Sequence, residues 1–161
     1  MSKEEETVQR IREFNRFYMP LLRLLDNHYL NSEYTPTEAR VLFEIYENDG
    51  CSAACIAKKM NIDKSYMSRI IRAHEKKGYL IRQVSAADSR VYQLHLTEKG
   101  LERTKDFITK SNQQIGAIIS PLHPEECEEL IKGLDRVTSI LENCRTEEQG
   151  SYRDKTGGNK L

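Results

Sequence analysis

Two helix-start signals flank Asn61-Ile62, and no other feature of this chain narrows its possible folds as far. Ser52 opens a short run carrying Ile56, Ala57 and Met60, and Asp63 opens a second that ends at Lys77 before Gly78. A serine or aspartate side chain accepts hydrogen bonds from the orphan amides of a first turn, and a glycine after the last turn takes the left-handed conformation that closes a helix. Two short helices joined so tightly predict a helix-turn-helix. On the second, Met67, Ile70, Ile71 and His74 share one face, and Ser65, Ser68, Arg69, Arg72 and Lys76 share the other.

That polar face has the chemistry to read a DNA duplex. Arginine matches a guanine edge bidentately, hydroxyls reach bases or phosphates, and the first turns of a recognition helix approach base edges in the major groove. An ordinary amphipathic surface helix has the same pattern, so the charge distribution matters. The net charge is zero, but residues 58 to 90 carry nine basic and three acidic side chains, while the stretches before and after are each net acidic. A basic segment in a neutral chain suits a polyanion, because its field acts over about 8 Å in physiological salt. Leu80 to Val84 and Val91 to Leu96 then read as short strands around Ser85-Ala86-Ala87-Asp88-Ser89-Arg90, a hairpin or wing. Arg90 near its tip suits a minor groove or a phosphate, or else a pairing with Asp88 that orients it.

The flanks read as helices. Thr7 to Leu30 sets Ile11, Phe14, Tyr18, Leu21, Leu22 and Leu25 on one face, with a break expected near Phe17 to Pro20. Thr35-Pro36-Thr37-Glu38 is a capping-box start for a helix carrying Val41, Leu42 and Ile45, stopped by Asp49-Gly50. After Thr97 a helix runs through Leu101, Ile108, Ile115 and Ile118, Pro121 and Pro124 mark a break, and Leu130, Ile131, Leu134, Val137, Ile140 and Leu141 line a last helix. These apolar faces exceed what one small winged domain covers. They predict either a homodimer interface, with Ile11, Phe14, Leu21, Leu130, Leu134, Val137 and Leu141 in it, or an intramolecular core; paired recognition helices on a two-fold axis favour the dimer. The expected organisation is an N-terminal dimerisation helix (1–32), a winged helix-turn-helix (33–97), C-terminal dimerisation helices (98–145) and a polar, mobile tail (146–161). The fold class is mainly α with a small β-hairpin.

The series Thr35-Pro-Thr-Glu-Ala-Arg-Val-Leu, Ile56-Ala57, Asp63-Lys64-Ser65, Ser68-Arg69, Glu75-Lys76-Lys77-Gly78, Asp88-x-Arg90 and Leu96-Thr97-Glu98-Lys99-Gly100 resembles the MarR-type regulators, in register from Tyr34 to Glu102. The resemblance implies a homodimer that binds a palindromic operator in double-stranded DNA, usually as a repressor, released by a small molecule or an oxidant. The candidate DNA contacts are Ser52, Lys64, Ser65, Tyr66, Ser68, Arg69, Arg72, Lys76, Asp88 and Arg90. A winged-helix protein-interaction module without specific DNA binding is the alternative. Phe14 to Tyr18 and Thr37 to Leu42 are also similar to the regulator half of fusions with GNAT acetyltransferases. The stretch after the wing is too short for the acetyltransferase half, so no enzyme activity is expected.

Three positions depart from the family pattern. His74 stands where leucine is common and reads as a neutral, hydrogen-bonded core histidine. The wing has one arginine where two are usual, and Tyr66 occupies a position often held by threonine or serine. For sensing, Cys51 and Cys55 at a helix start and Cys127 in the first turn of the last helix are candidate redox thiols, against a reading as space-filling cysteines. Phe17, Tyr18 and His28 are candidate lining for an effector cleft. No metal site and no cofactor are expected. Apolar runs of a few residues predict no membrane span. A leader is not evident, and the sparse cysteines suit a reducing cytoplasm.

Overall fold

The computed structural model describes the backbone of residues 1–155 and the side chains of residues 1–145. The chain forms two compact units, Met1–Ile115 and the part from Gly116 onward.

The first unit opens with α1 (Lys3–Leu21), capped by Ser2 and Glu5 in a reciprocal capping box. The expected helix to Leu30 is not formed. Pro20 has no amide to offer and crowds the preceding turn. The helix therefore closes with Leu24 N–H donating to Met19 O at 2.9 Å and Arg23 N–H donating to Pro20 O at 3.0 Å, with Arg23 left-handed at φ 54°. A single 3₁₀ turn, Tyr29–Asn31, follows. Helix α2 (Pro36–Glu47) starts on the expected capping box of Thr35 and Glu38.

Helices α3 (Ala53–Met60) and α4 (Lys64–Lys76) start on Ser52 and Asp63, as their capping chemistry predicts. Helix α4 ends in a left-handed Gly78 (φ 78°), with Tyr79 N–H donating to His74 O at 3.0 Å. Strands β1 (Leu80–Val84) and β2 (Tyr92–Leu96) pair antiparallel, Leu80 opposite Leu96 and Val84 opposite Tyr92. The backbone of Gly50-Cys51 pairs with Leu94 on the outer edge of β2, a tie between distant segments that no local pattern announces.

The main core gathers Val41 and Ile45 of α2, Ile56 and Ala57 of α3, Met67, Ile70 and Ile71 of α4, and Leu80 and Leu94 of the hairpin. Burying each large apolar side chain contributes about 1.5–3 kcal/mol. Packing, more than helix propensity, therefore fixes which face of α4 points inward. A second cluster joins Tyr34, Ala39, Leu42 and Tyr79 to Phe107 of α5 (Glu98–Ile119). Within it the His74 ring is buried, and its Nε2 donates to the Glu38 carbonyl at 2.8 Å, as expected of a core histidine.

Beyond Gly116, α5 ends and α6 (Pro124–Lys155) follows, started by Glu126, whose carboxylate accepts from His123 N–H at 2.8 Å. Leu130, Ile131, Leu134, Val137, Ile140 and Leu141 are all exposed along it. The α6 backbone continues past Asn143 into the expected polar tail. The side chains from residue 146 on, and residues 156–161 entirely, lie outside the described residues.

Candidate nucleic-acid interface

The exposed face of α4 is built from its first turn. The Asp63 carboxylate accepts from Ser65 N at 2.8 Å, Ser65 Oγ at 2.6 Å and Tyr66 N at 3.1 Å, and these bonds, led by the Ser65 hydroxyl, hold its pKa below the usual carboxylate range. The Ser65 proton is thus already committed to Asp63, which leaves this hydroxyl's oxygen to accept. Tyr66 is half-buried against the main core, and the Arg69 guanidinium lies 5.5 Å over its ring. A cation held on an aromatic face loses rotamer freedom before it meets a ligand. This support for Arg69 was not evident from the sequence, although the three-residue spacing of Tyr66 and Arg69 on a helix permits it.

Lys64, Ser68, Arg69, Arg72 and Lys76 are all exposed. Among the described residues none of the four cations here forms an ion pair, and neither does Arg90 in the wing. Lys3, Arg10, Arg40, Lys59, Arg82, Arg103 and Lys110, by contrast, all pair with carboxylates. At the start of α3, Ser52 Oγ accepts from Cys55 N at 3.2 Å and keeps its own proton to donate.

The wing turn is closed by Ser85 N–H donating to Val91 O at 2.9 Å and by Asp88, whose carboxylate accepts from the Arg90 backbone amide at 3.0 Å. Asp88 therefore shapes the turn, and the Arg90 guanidinium is left without an ionic partner. Asp88 reaches Arg90 through the main chain and not through a side-chain pair.

The MarR family model matches residues 34–92, from the segment before α2 to the first residue of β2. The regulator BilQ of Clostridioides difficile (strain CD3) is 30% identical over 99 residues, 62% of this chain and 67% of that protein. The chain belongs to the MarR family. A Thauera aromatica protein described as a transcriptional regulatory protein for the hcr operon is 30% identical over 108 residues; the match spans 65% of each, just under two thirds of that relative. The same fold is found in Streptococcus pneumoniae FabT, whose structure was determined in complex with DNA, at TM-score 0.71 and 23% identity, covering 85% of this chain and 99% of that one. The named relatives are transcriptional regulators. No helix among the described residues is long and apolar enough to cross a membrane.

The remaining candidate residues of this MarR-family chain are scattered. Cys51 packs half-buried against the main core, and burial, reinforced by the nearby Cys55 thiol, pushes its pKa up. That opposes the activation expected of a thiol at a helix start. Cys55 and Cys144 are exposed, and Cys127 is half-buried in the first turn of α6. Phe17 and His28 are exposed, and Tyr18 stacks on Phe14 with ring centroids 5.1 Å apart. The cavity of about 560 Å³ in the first unit is lined by none of these three. It is bounded by Met19 and Leu24, by Arg40 and Phe43 of α2, and by Phe107 and Asn112 of α5, with others between. The sequence missed this cavity because its walls come from segments that share no periodic pattern.

Proposed function

We propose that this chain acts as a homodimer that binds a palindromic operator in double-stranded DNA, α4 in the major groove and the wing beside it, and represses transcription until a small molecule or an oxidant releases it. The observation that carries the reading is the set of exposed cations without ion pairs on two neighbouring elements: Lys64, Arg69, Arg72 and Lys76 on α4, and Arg90 in the wing. Elsewhere among the described residues some surface cations, such as Arg82 and Arg103, pair with carboxylates and others, such as Arg12 and Arg16, do not, so it is the clustering of exposed cations on α4 that matters. Such a cluster suits a phosphate backbone, with arginine reading guanine edges. FabT, of similar fold, has been seen in complex with DNA.

The test is titration of the full chain against DNA duplexes recovered from a genomic library. Arg69→Ala and Arg72→Ala should each weaken binding about tenfold or more, as expected for loss of a bidentate base contact. Sedimentation should be unchanged. Unaltered binding in both variants would favour the protein-interaction module instead.

For the releasing signal, the cavity walled by Met19, Phe43 and Phe107, with Arg40 and Asn112 at its edge, suits an apolar organic molecule carrying a polar group. The exposed thiol of Cys55, at the start of α3, is the better-placed of the redox candidates on this unit.

A further inference from the structure

Helix α4 carries a single carboxylate, Glu75, among its cations. It sits in the last turn, where the negative end of the helix dipole disfavours it, and on an element whose exposed face would otherwise attract phosphate. Its Oε2 accepts from Arg82 Nη2 at 2.8 Å. Arg82 stands midway along β1 opposite Leu94, on the strand face that also carries the buried Leu80. Of the nine cations between residues 58 and 90, only Arg82 and Lys59 form ion pairs among the described residues, and Arg82 alone pairs with α4.

The pair is also the outermost polar tie between hairpin and helix. Beyond Arg82, the paired residues Val84 and Tyr92 are each 50% exposed, and among the described residues no hydrogen bond or ion pair further out joins the hairpin to α4. The base of the hairpin is tied to the end of α4 by Tyr79 N–H donating to His74 O and Thr97 Oγ1 donating to Gly78 O, and two further ties grip the opposite, outer side: His95 Nδ1 lies 2.9 Å from Asp49 Oδ1, and the Gly50-Cys51 backbone pairs with Leu94. The wing is therefore held between two clasps, and the loop that bears Arg90 projects about 10 Å past the inner one, at roughly 3.3 Å per residue from Arg82 to Ser85. Any angular play at the clasp is carried outward to Arg90.

We propose that Glu75 and Arg82 are positioning residues, an ion pair that fixes the wing's angle to α4 and so sets where Arg90 meets the duplex. The inference rests on the DNA-binding reading above. Glu75 is accordingly not a ligand for DNA, and Arg82 is not a phosphate contact. The rival assignment makes Arg82 a phosphate ligand that Glu75 restrains, and it predicts the opposite sign for loss of the carboxylate.

The experiment measures binding of the full chain to one duplex recovered from the genomic selection, as a function of salt, for Glu75→Gln, Arg82→Gln, the exchange Glu75→Arg with Arg82→Glu, and each single change combined with Arg90→Ala. Glu75→Gln and Arg82→Gln should each weaken binding about three- to fivefold, the most an exposed pair of this kind is worth. Both should flatten the salt dependence as Arg90→Ala does, the exchange should restore both readouts, and neither single change should weaken binding further once Arg90 is gone. Tighter binding by Glu75→Gln would overturn the proposal in favour of Arg82 as a phosphate ligand. So would losses that multiply with Arg90→Ala, or a loss confined to Arg82→Gln. A wild-type chain that retains no DNA would instead defeat the DNA-binding reading itself, and the wing assignment with it.

Discussion

Gly100 lies where a side chain has no room. A Cβ there would stand 1.8 Å from the carbonyl oxygen of Tyr79, the same oxygen that accepts from Thr97 N–H at 3.0 Å. The obstacle is backbone and cannot rotate away, so α5 must shift or the hairpin must. Gly100→Ala should lower the thermal midpoint by about 5 °C or more, the effect of a backbone clash costing roughly 2–3 kcal/mol; an unchanged melt would show that α5 can slide freely. His74 makes the second residue-scale prediction. Burial drives its pKa below the usual histidine value, and the hydrogen bond to Glu38 only partly offsets this. The unfolded chain thus takes up a proton near pH 6.5 that the folded protein still refuses. Stability from this site is complete above that pH and is lost progressively as pH falls toward the lower folded value. Urea midpoints of the wild type should fall more steeply between pH 7 and 5 than those of His74→Leu. Parallel pH profiles would mean that the ring titrates as if exposed.

At the scale of elements, α2 is joined to α3 through a buried carboxylate. Glu44 is 1% exposed, and its two oxygens are taken by Arg40 Nε at 2.6 Å and Lys59 Nζ. Burial pushes this carboxyl up, but the bonds from Lys59 and Arg40 outweigh it and hold the pKa below the usual range. Both cations are about half exposed and can return to water, whereas the carboxylate cannot. Removing the cations together (Arg40→Met with Lys59→Met) should therefore cost about 3 kcal/mol, more than Glu44→Gln, because it leaves a buried charge unpaired. Equal losses in denaturant melts would contradict this asymmetry. Arg40 is a local partner, four residues back on α2, but nothing local marks Glu44 as buried, since Lys59 is met only once α3 packs on α2. The caps at Ser52, Asp63 and Thr35 were legible because capping acts within four residues. The end of α1 was legible only as a break at Pro20: Leu21, Leu22 and Leu25 keep the helical period, and the left-handed Arg23 that halts it is a residue type that rarely takes that conformation. The recognition face was readable from its period, whereas Asp63's hold on the Ser65 hydroxyl, Arg69's seat on Tyr66 and the Gly50-Cys51 tie to Leu94 depend on rotamers or on distant chain.

For the whole molecule, the outstanding fact is apolar surface. Ile11, Phe14, Phe17 and Leu21 on α1 are exposed, and so are Leu130, Leu134, Val137 and Leu141 on α6. Long helices with no buried residue on α1, and none on α6 among its described side chains, do not hold an apolar face in water without cost. A second copy of the chain is the proposed cover, and operator binding then requires it, since a palindrome presents two half-sites to two recognition helices. Phe14→Glu should shift sedimentation toward a monomer and weaken operator binding together; loss of one without the other would separate dimerisation from DNA binding. The central claim is tested most directly by incubating the purified chain with fragmented genomic DNA and sequencing what is retained. The expected result is an inverted repeat whose half-sites lie one helical turn apart, about 34–36 Å between centres. Retention without an enriched sequence, vanishing in modest salt, would contradict the account, because only counterion release would then be holding the DNA.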